Sequence, residues 1–146
     1  DIERETRVEM AKDAELVFLE TIVPGRAAMG ETLKTMSFKD DRQIRRCGKL
    51  VYWEPLELRG ALLDHPAGLA GARAISSLVV LARDAADRLD AIRAALKFDG
   101  VDAAASAWDG KLVIRLMASA AWPLRRALMQ LIPLVTGAPL PRVWQT

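Results

Sequence analysis

His65 and Cys47 are the side chains from which chemistry could start, because a histidine can act as a general base and a cysteine as a nucleophile. The chain has one of each. His65 lies in Leu63-Asp64-His65-Pro66 with no matching nucleophile beside it, and no serine sits in a G-x-S-x-G elbow. A surface or turn histidine is therefore the expectation. Cys47 precedes Gly48 in an expected turn and reads as a turn residue rather than a reactive thiol. A structural zinc site takes roughly four Cys or His ligands, more than this chain offers. Gly68, Gly71 and Gly100 form neither a G-x-G-x-x-G nor a P-loop. The pairs Asp40-Asp41 and Asp99–Asp102 read as solvated turns rather than acid/base dyads. Arg45-Arg46 and Arg125-Arg126 read as solvated faces, and Trp53, Trp108 and Trp122 as core or interface packing rather than a cofactor box.

The elements that must position these residues follow from hydrophobic periodicity. Leu16–Val23 is β-branched and aromatic and stops at Pro24-Gly25, as a strand would. Arg42–Arg46 and Lys49–Trp53 flank Cys47-Gly48 and suit a hairpin, with Pro55 pushing the second strand to an edge or bulge. Ala74–Leu81 is a buried-strand candidate. Asp84 stands where a helix N-cap belongs, with Asp87 three residues on, ahead of a helix over 85–96 that ends at Gly100. Val101–Trp108 and Lys111–Met117 are two strands joined by Asp109-Gly110. A last helix starts near Pro123 with Leu124, Leu128, Leu131 and Val135 on one face; Pro133 is expected to kink or shorten it.

The expected fold is mixed α/β and mainly β. Residues 1–60 form a β-strand portion and residues 61–146 an α+β portion with the order β-α-β-β-α, its helices on one face of a small sheet. The two together read as one fragment of a longer single-domain protein, since the chain begins abruptly in Asp1-Ile2-Glu3-Arg4-Glu5. Its 146 residues, 51% hydrophobic and 27% charged, describe a globular chain with a core rather than a disordered one. A formal charge of +2 is too small to demand a nucleic-acid or membrane partner. No apolar run reaches the roughly 18 residues of a membrane helix, and a single cysteine excludes an internal disulfide.

One stretch has no generic explanation. Pro24-Gly25-Arg26-Ala27-Ala28-Met29-Gly30-Glu31 resembles the G-R-x-A-M-G-E segment of the urease accessory protein family UreD (UreH). Three further segments agree in order and spacing: Arg42–Leu50, Ala105–Gly110 with Leu112–Leu116, and Pro139–Trp144. Cys47 stands where family members commonly carry an acidic turn residue, and the family's chains are nearly twice as long.

The resemblance implies a mainly β fold whose first part stacks strands in a β-helix-like manner, with helices added. It implies a cytoplasmic, non-catalytic scaffold that binds apo-urease subunits and UreF, with the GTPase UreG engaged indirectly through UreF. No tightly bound cofactor is expected; nickel passes in transit to the urease active site. The residues that carry the family motifs are Gly25, Arg26, Met29, Gly30, Glu31, Trp108, Arg142 and Trp144. Gly25 and Gly30 permit positive φ or close backbone approach. Arg26 and Glu31 either pair across the loop, or Glu31 faces a polar nickel path, for which weak oxygen ligands suit transit better than a His/Cys cage. The alternatives are a small-molecule-binding α+β module and a hydrolase using His65.

Overall fold

The computed structural model describes residues 1–25 and 35–145. Among the described residues it is mainly β, as expected, with two sheets and two α-helices. The chain divides into two compact units: Asp1–Glu15 with Gly25–Gly71, and Leu16–Pro24 with Ala72–Thr146.

The first unit is built on a three-stranded sheet in the order β1 (Ile2–Met10), β3 (Ser37–Arg46), β4 (Lys49–Arg59). β1 runs parallel to β3, from Ile2 opposite Phe38 to Met10 opposite Arg46. β3 and β4 form the hairpin expected around Cys47-Gly48, whose φ values of 50 and 76 are both positive, as a type I′ turn requires. The Cys47 amide donates to the Met10 carbonyl at 3.0 Å, and Arg46 Nη2 donates to the Ala14 carbonyl at 3.1 Å, so the turn is tied to the end of β1. β4 is an edge strand, which is where Pro55 can be accommodated without breaking a central ladder. Strand alternation buries Asp40, Arg42 and Ile44 of β3 on one face, with Tyr52 and Leu58 of β4.

The second unit carries an antiparallel sheet in the order β2 (Leu16–Ile22), β5 (Ala74–Leu81), β7 (Lys111–Ala118), β6 (Val101–Trp108). β2 joins it from far away in sequence, with Leu19 opposite Leu78 and Thr21 opposite Ser76. β5 is buried along nearly its whole length, which is why it is mostly apolar, with only Ser76 and Ser77 polar. The β6–β7 hairpin turns at Asp109-Gly110, with φ values of 46 and 69. Leu78, Val80, Leu112, Ile114 and Leu116 share one cluster with Ile92 of α1 (Leu89–Ala95) and with Leu124, Leu128, Leu131 and Val135 of α2 (Ala121–Thr136). The β-α-β-β-α order from β5 to α2 is as expected.

One helix expectation needs correction. α1 begins at Leu89 rather than 85, and Asp84 is not its N-cap; Arg88 holds that place without a side-chain cap. The Asp84 carboxylate instead takes the Arg88 guanidinium, at 2.7 Å from Nη2 and 3.1 Å from Nε. Arg88 also donates to the Val135 carbonyl at 2.7 Å, which draws it to the end of α2. A charged fork outcompetes a capping bond to a neutral amide. α2 begins at Ala121, two residues before Pro123, and runs through Pro133 to Thr136. The last turn is held by burial of Leu131, Ile132 and Val135, by Thr136 Oγ1 donating to the Ile132 carbonyl at 2.8 Å, and by the left-handed Gly137 cap. These contacts offset the backbone donor lost at the proline.

Candidate functional site

The motif residues of the sequence fall in three places. Gly25 follows the buried Pro24 at the exit from β2, with φ 70, a backbone setting that favours glycine. Arg26, Met29, Gly30 and Glu31 lie outside the described residues. Trp108 ends β6 and is 46% exposed, with Lys111, its register partner, 5.7 Å from the ring centroid. Arg142 and Trp144 share a 3-10 turn, Arg142–Trp144, in which Arg142 is exposed and Trp144 packs partly against the core of the second unit.

Around Trp144 the second unit forms a cleft of about 390 Å³, lined by Thr21, Ala121, Trp122, Arg125, Leu128 and Trp144. Its construction is local physics at each wall. The apolar spacing of α2 turns Leu124 and Leu128 inward and leaves Trp122 63% exposed at the helix start. Arg125 lies one helical turn from Trp122. Its guanidinium sits over the Trp144 ring, 5.1 Å from the centroid, and Nη2 donates to the Trp144 carbonyl at 3.2 Å. A stacked and hydrogen-bonded arginine cannot swing as a solvated one does. On the sheet side, Ser76 Oγ donates to the Glu20 carbonyl at 2.8 Å, so its 3.1 Å contact with Thr21 uses the Thr21 proton. That orients the threonine at the cleft wall.

Reading Arg125-Arg126 as a merely solvated pair therefore holds only for Arg126, which is exposed, while Arg125 is half-buried. The cleft residues Thr21, Ala121, Trp122, Arg125 and Leu128 were not singled out as a site by sequence. The available signal was the inward set Leu124, Leu128, Leu131 and Val135, which already forces Trp122 to the outside.

Asp40 also departs from expectation. It is not in a solvated turn but in the middle of β3, 1% exposed, beside Arg42, 2% exposed. Arg4 donates to it from Nε and Nη2, and Arg42 from Nε at 2.6 Å. Arg42 Nη1 then donates to Glu54 at 2.9 Å, so alternating charges cross all three strands of the first unit. Burial pushes the Asp40 carboxyl up, but the hydrogen bonds and charges of Arg4 and Arg42 outweigh it and hold the group below its ordinary 3.8. The neighbouring Asp41 faces the other way and accepts from Trp53 Nε1 at 2.8 Å.

His65 and Cys47 are exposed turn residues. His65 Nδ1 accepts the Ala67 amide at 3.1 Å, a turn-closing role. Among the described residues no group of three or more His, Cys, Asp or Glu is placed to hold a metal ion, and no helix is long and apolar enough to cross a membrane. The geometry of the cleft, two tryptophans and a fixed arginine around an apolar floor, suits binding of a large side chain.

Comparison with known proteins places the chain in a family. The chain matches the model described as UreD urease accessory protein over residues 1–145. It is 55% identical over 141 residues to the urease accessory protein UreD of Dinoroseobacter shibae, covering 96% of this chain and 50% of that protein. The urease accessory protein UreD of Jannaschia sp. is 52% identical over 146 residues, 99% of this chain and 54% of its own length. That of Paracoccus denitrificans is 44% identical over 145 residues, 97% of this chain and 52% of its own length. The chain thus spans about half the length of the curated relatives it matches.

Proposed function

The chain belongs to the UreD family of urease accessory proteins, and from that premise we propose that it is a non-catalytic scaffold for nickel insertion into urease. In this reading it binds UreF and the apo-urease subunits in the cytoplasm, with UreG engaged through UreF. Nickel is cargo in transit rather than a resident cofactor.

The observation that carries the reading is the continuous family match along residues 1–145, joined by relatives whose names state an accessory role in urease. The surface supports it. Trp122, Leu134 and Val143 are exposed at 63%, 56% and 74% in the second unit, apolar side chains that a partner could cover. Glu31 belongs to the family motif, and a weak oxygen ligand there suits a metal that has to be released again.

Co-expression of the tagged chain with UreF and the urease subunits tests this. A stoichiometric complex is the expected product. If neither this chain nor the full-length gene product recovers any urease protein, the scaffold role is wrong. Glu31→Ala separates the two roles of that residue. Lower nickel in urease with assembly intact supports a place on the nickel path, whereas loss of assembly or solubility supports an ion pair with Arg26.

A further inference from the structure

We propose that the outer face of α2, together with the cleft at its first turn, docks an acidic amphipathic segment of a partner protein, one of whose large apolar side chains fills the cleft. This deepens the scaffold reading and rests on it.

Trp122, Arg126, Gln130 and Leu134 follow one another at four-residue spacing and form the exposed side of α2. The opposite side is consumed by the core. Tryptophan and arginine are the side chains that most often anchor protein interfaces, because each offers a large, stiff contact area with a polar handle. The cleft of about 390 Å³ has room for one such side chain from a partner. Its wall is already set, since Arg125 is held on Trp144 by stacking and by a hydrogen bond. A preformed wall loses little side-chain freedom when it is covered.

Charge selects the occupant. On α2 and the C-terminal turn every charged residue is a cation: Arg125, Arg126 and Arg142. Neither α2 nor the C-terminal turn carries a carboxylate of its own, and Arg126 and Arg142 are exposed. The complementary surface therefore combines carboxylates with at least one large apolar group, as one side of an amphipathic helix does.

The test compares the tagged wild-type chain with Trp122→Ala, Arg126→Glu and, on the first unit, Trp53→Ala, each co-expressed with UreF and the urease subunits and purified at low and high salt. Trp122, Arg126 and Trp53 are all exposed, so the variants are expected to melt with the wild type. Recovery of partner should fall at least about tenfold in Trp122→Ala. It should fall in Arg126→Glu with loss of its salt dependence, and stay unchanged in Trp53→Ala. Undiminished complex in both α2 variants overturns the docking surface and leaves the scaffold reading standing. Where the wild-type chain gives no complex, the same variants are compared in the full-length gene product, and no complex there overturns both. Wild-type binding to phosphatidylglycerol vesicles that Trp122→Ala abolishes, with the protein complex undiminished, assigns the face to a lipid surface instead.

Discussion

Arg4 and Asp40 are register partners on parallel strands and are joined by two side-by-side hydrogen bonds, Nε to Oδ1 at 3.0 Å and Nη2 to Oδ2 at 2.6 Å. The planar fork of the guanidinium matches the carboxylate edge, so the pair fixes orientation as well as charge. Arg42 shares the same Oδ2 and passes the connection on to Glu54.

Asp40→Ala should be strongly destabilising, because it leaves the Arg42 guanidinium buried beside a missing carboxylate. The expected cost is about 3–5 kcal/mol, read as a shift of the urea midpoint. Arg4→Lys keeps the charge but loses the fork and should cost less. An unchanged midpoint in Asp40→Ala would show that the buried network is energetically idle.

Acid should unfold the protein partly through this residue. The folded-state pKa of Asp40 is depressed below 3.8. The resulting stabilisation is fully present above that ordinary value and is lost as pH falls through the folded pKa. The melting temperature of the wild type should therefore drop as pH is lowered below about 3.8. Asp40→Asn, less stable at neutral pH, should show a shallower drop over the same window.

Arg125→Ala should release the C-terminal turn. It removes the stack on Trp144 and the bond to its carbonyl, together worth about 1–2 kcal/mol. Hydrogen exchange at the Trp144 amide, which donates to the Pro141 carbonyl at 2.9 Å, should accelerate while amides of β5 keep their protection. Arg125→Lys should restore little, since an ammonium has no planar face to lay on the indole.

Cys47→Asn should stabilise the protein. Cys47 has φ 50 and an exposed side chain, so no packing is lost. Asparagine tolerates the left-handed region better, and a gain of about 0.5–1 kcal/mol is expected as a rise in melting temperature. An equal or lower melting temperature would show that the turn is not strained by its first residue.

Much of the fold was legible because it is local. Cys47-Gly48 and Asp109-Gly110 announce hairpins, since two adjacent positions of positive φ reverse the chain within a few residues. The β-branched and apolar stretch Ala74–Leu81 announces a buried strand, and the spacing of Leu124, Leu128, Leu131 and Val135 announces a helix with its core face. The family motifs were legible for the same reason: they are contiguous words in the chain, whichever surface they finally occupy. Asp84 misled because its spacing to Asp87 fits a capping pair, while its actual partner, Arg88, is itself drawn to Val135 across the unit.

What the sequence determined by itself is therefore most of the elements, though not β1, together with the two hairpin turns and the family. Only the tertiary structure decided which distant strands meet: β2 beside β5, and β1 parallel to β3. The same pairings decide that Asp40 is a buried partner of Arg4, and that Thr21, Trp122 and Trp144 border one cleft. The physical reason is that periodicity and turn chemistry act within a few residues of chain. The charge and shape that surround a side chain come from segments dozens of residues away, brought close only when apolar surface is buried.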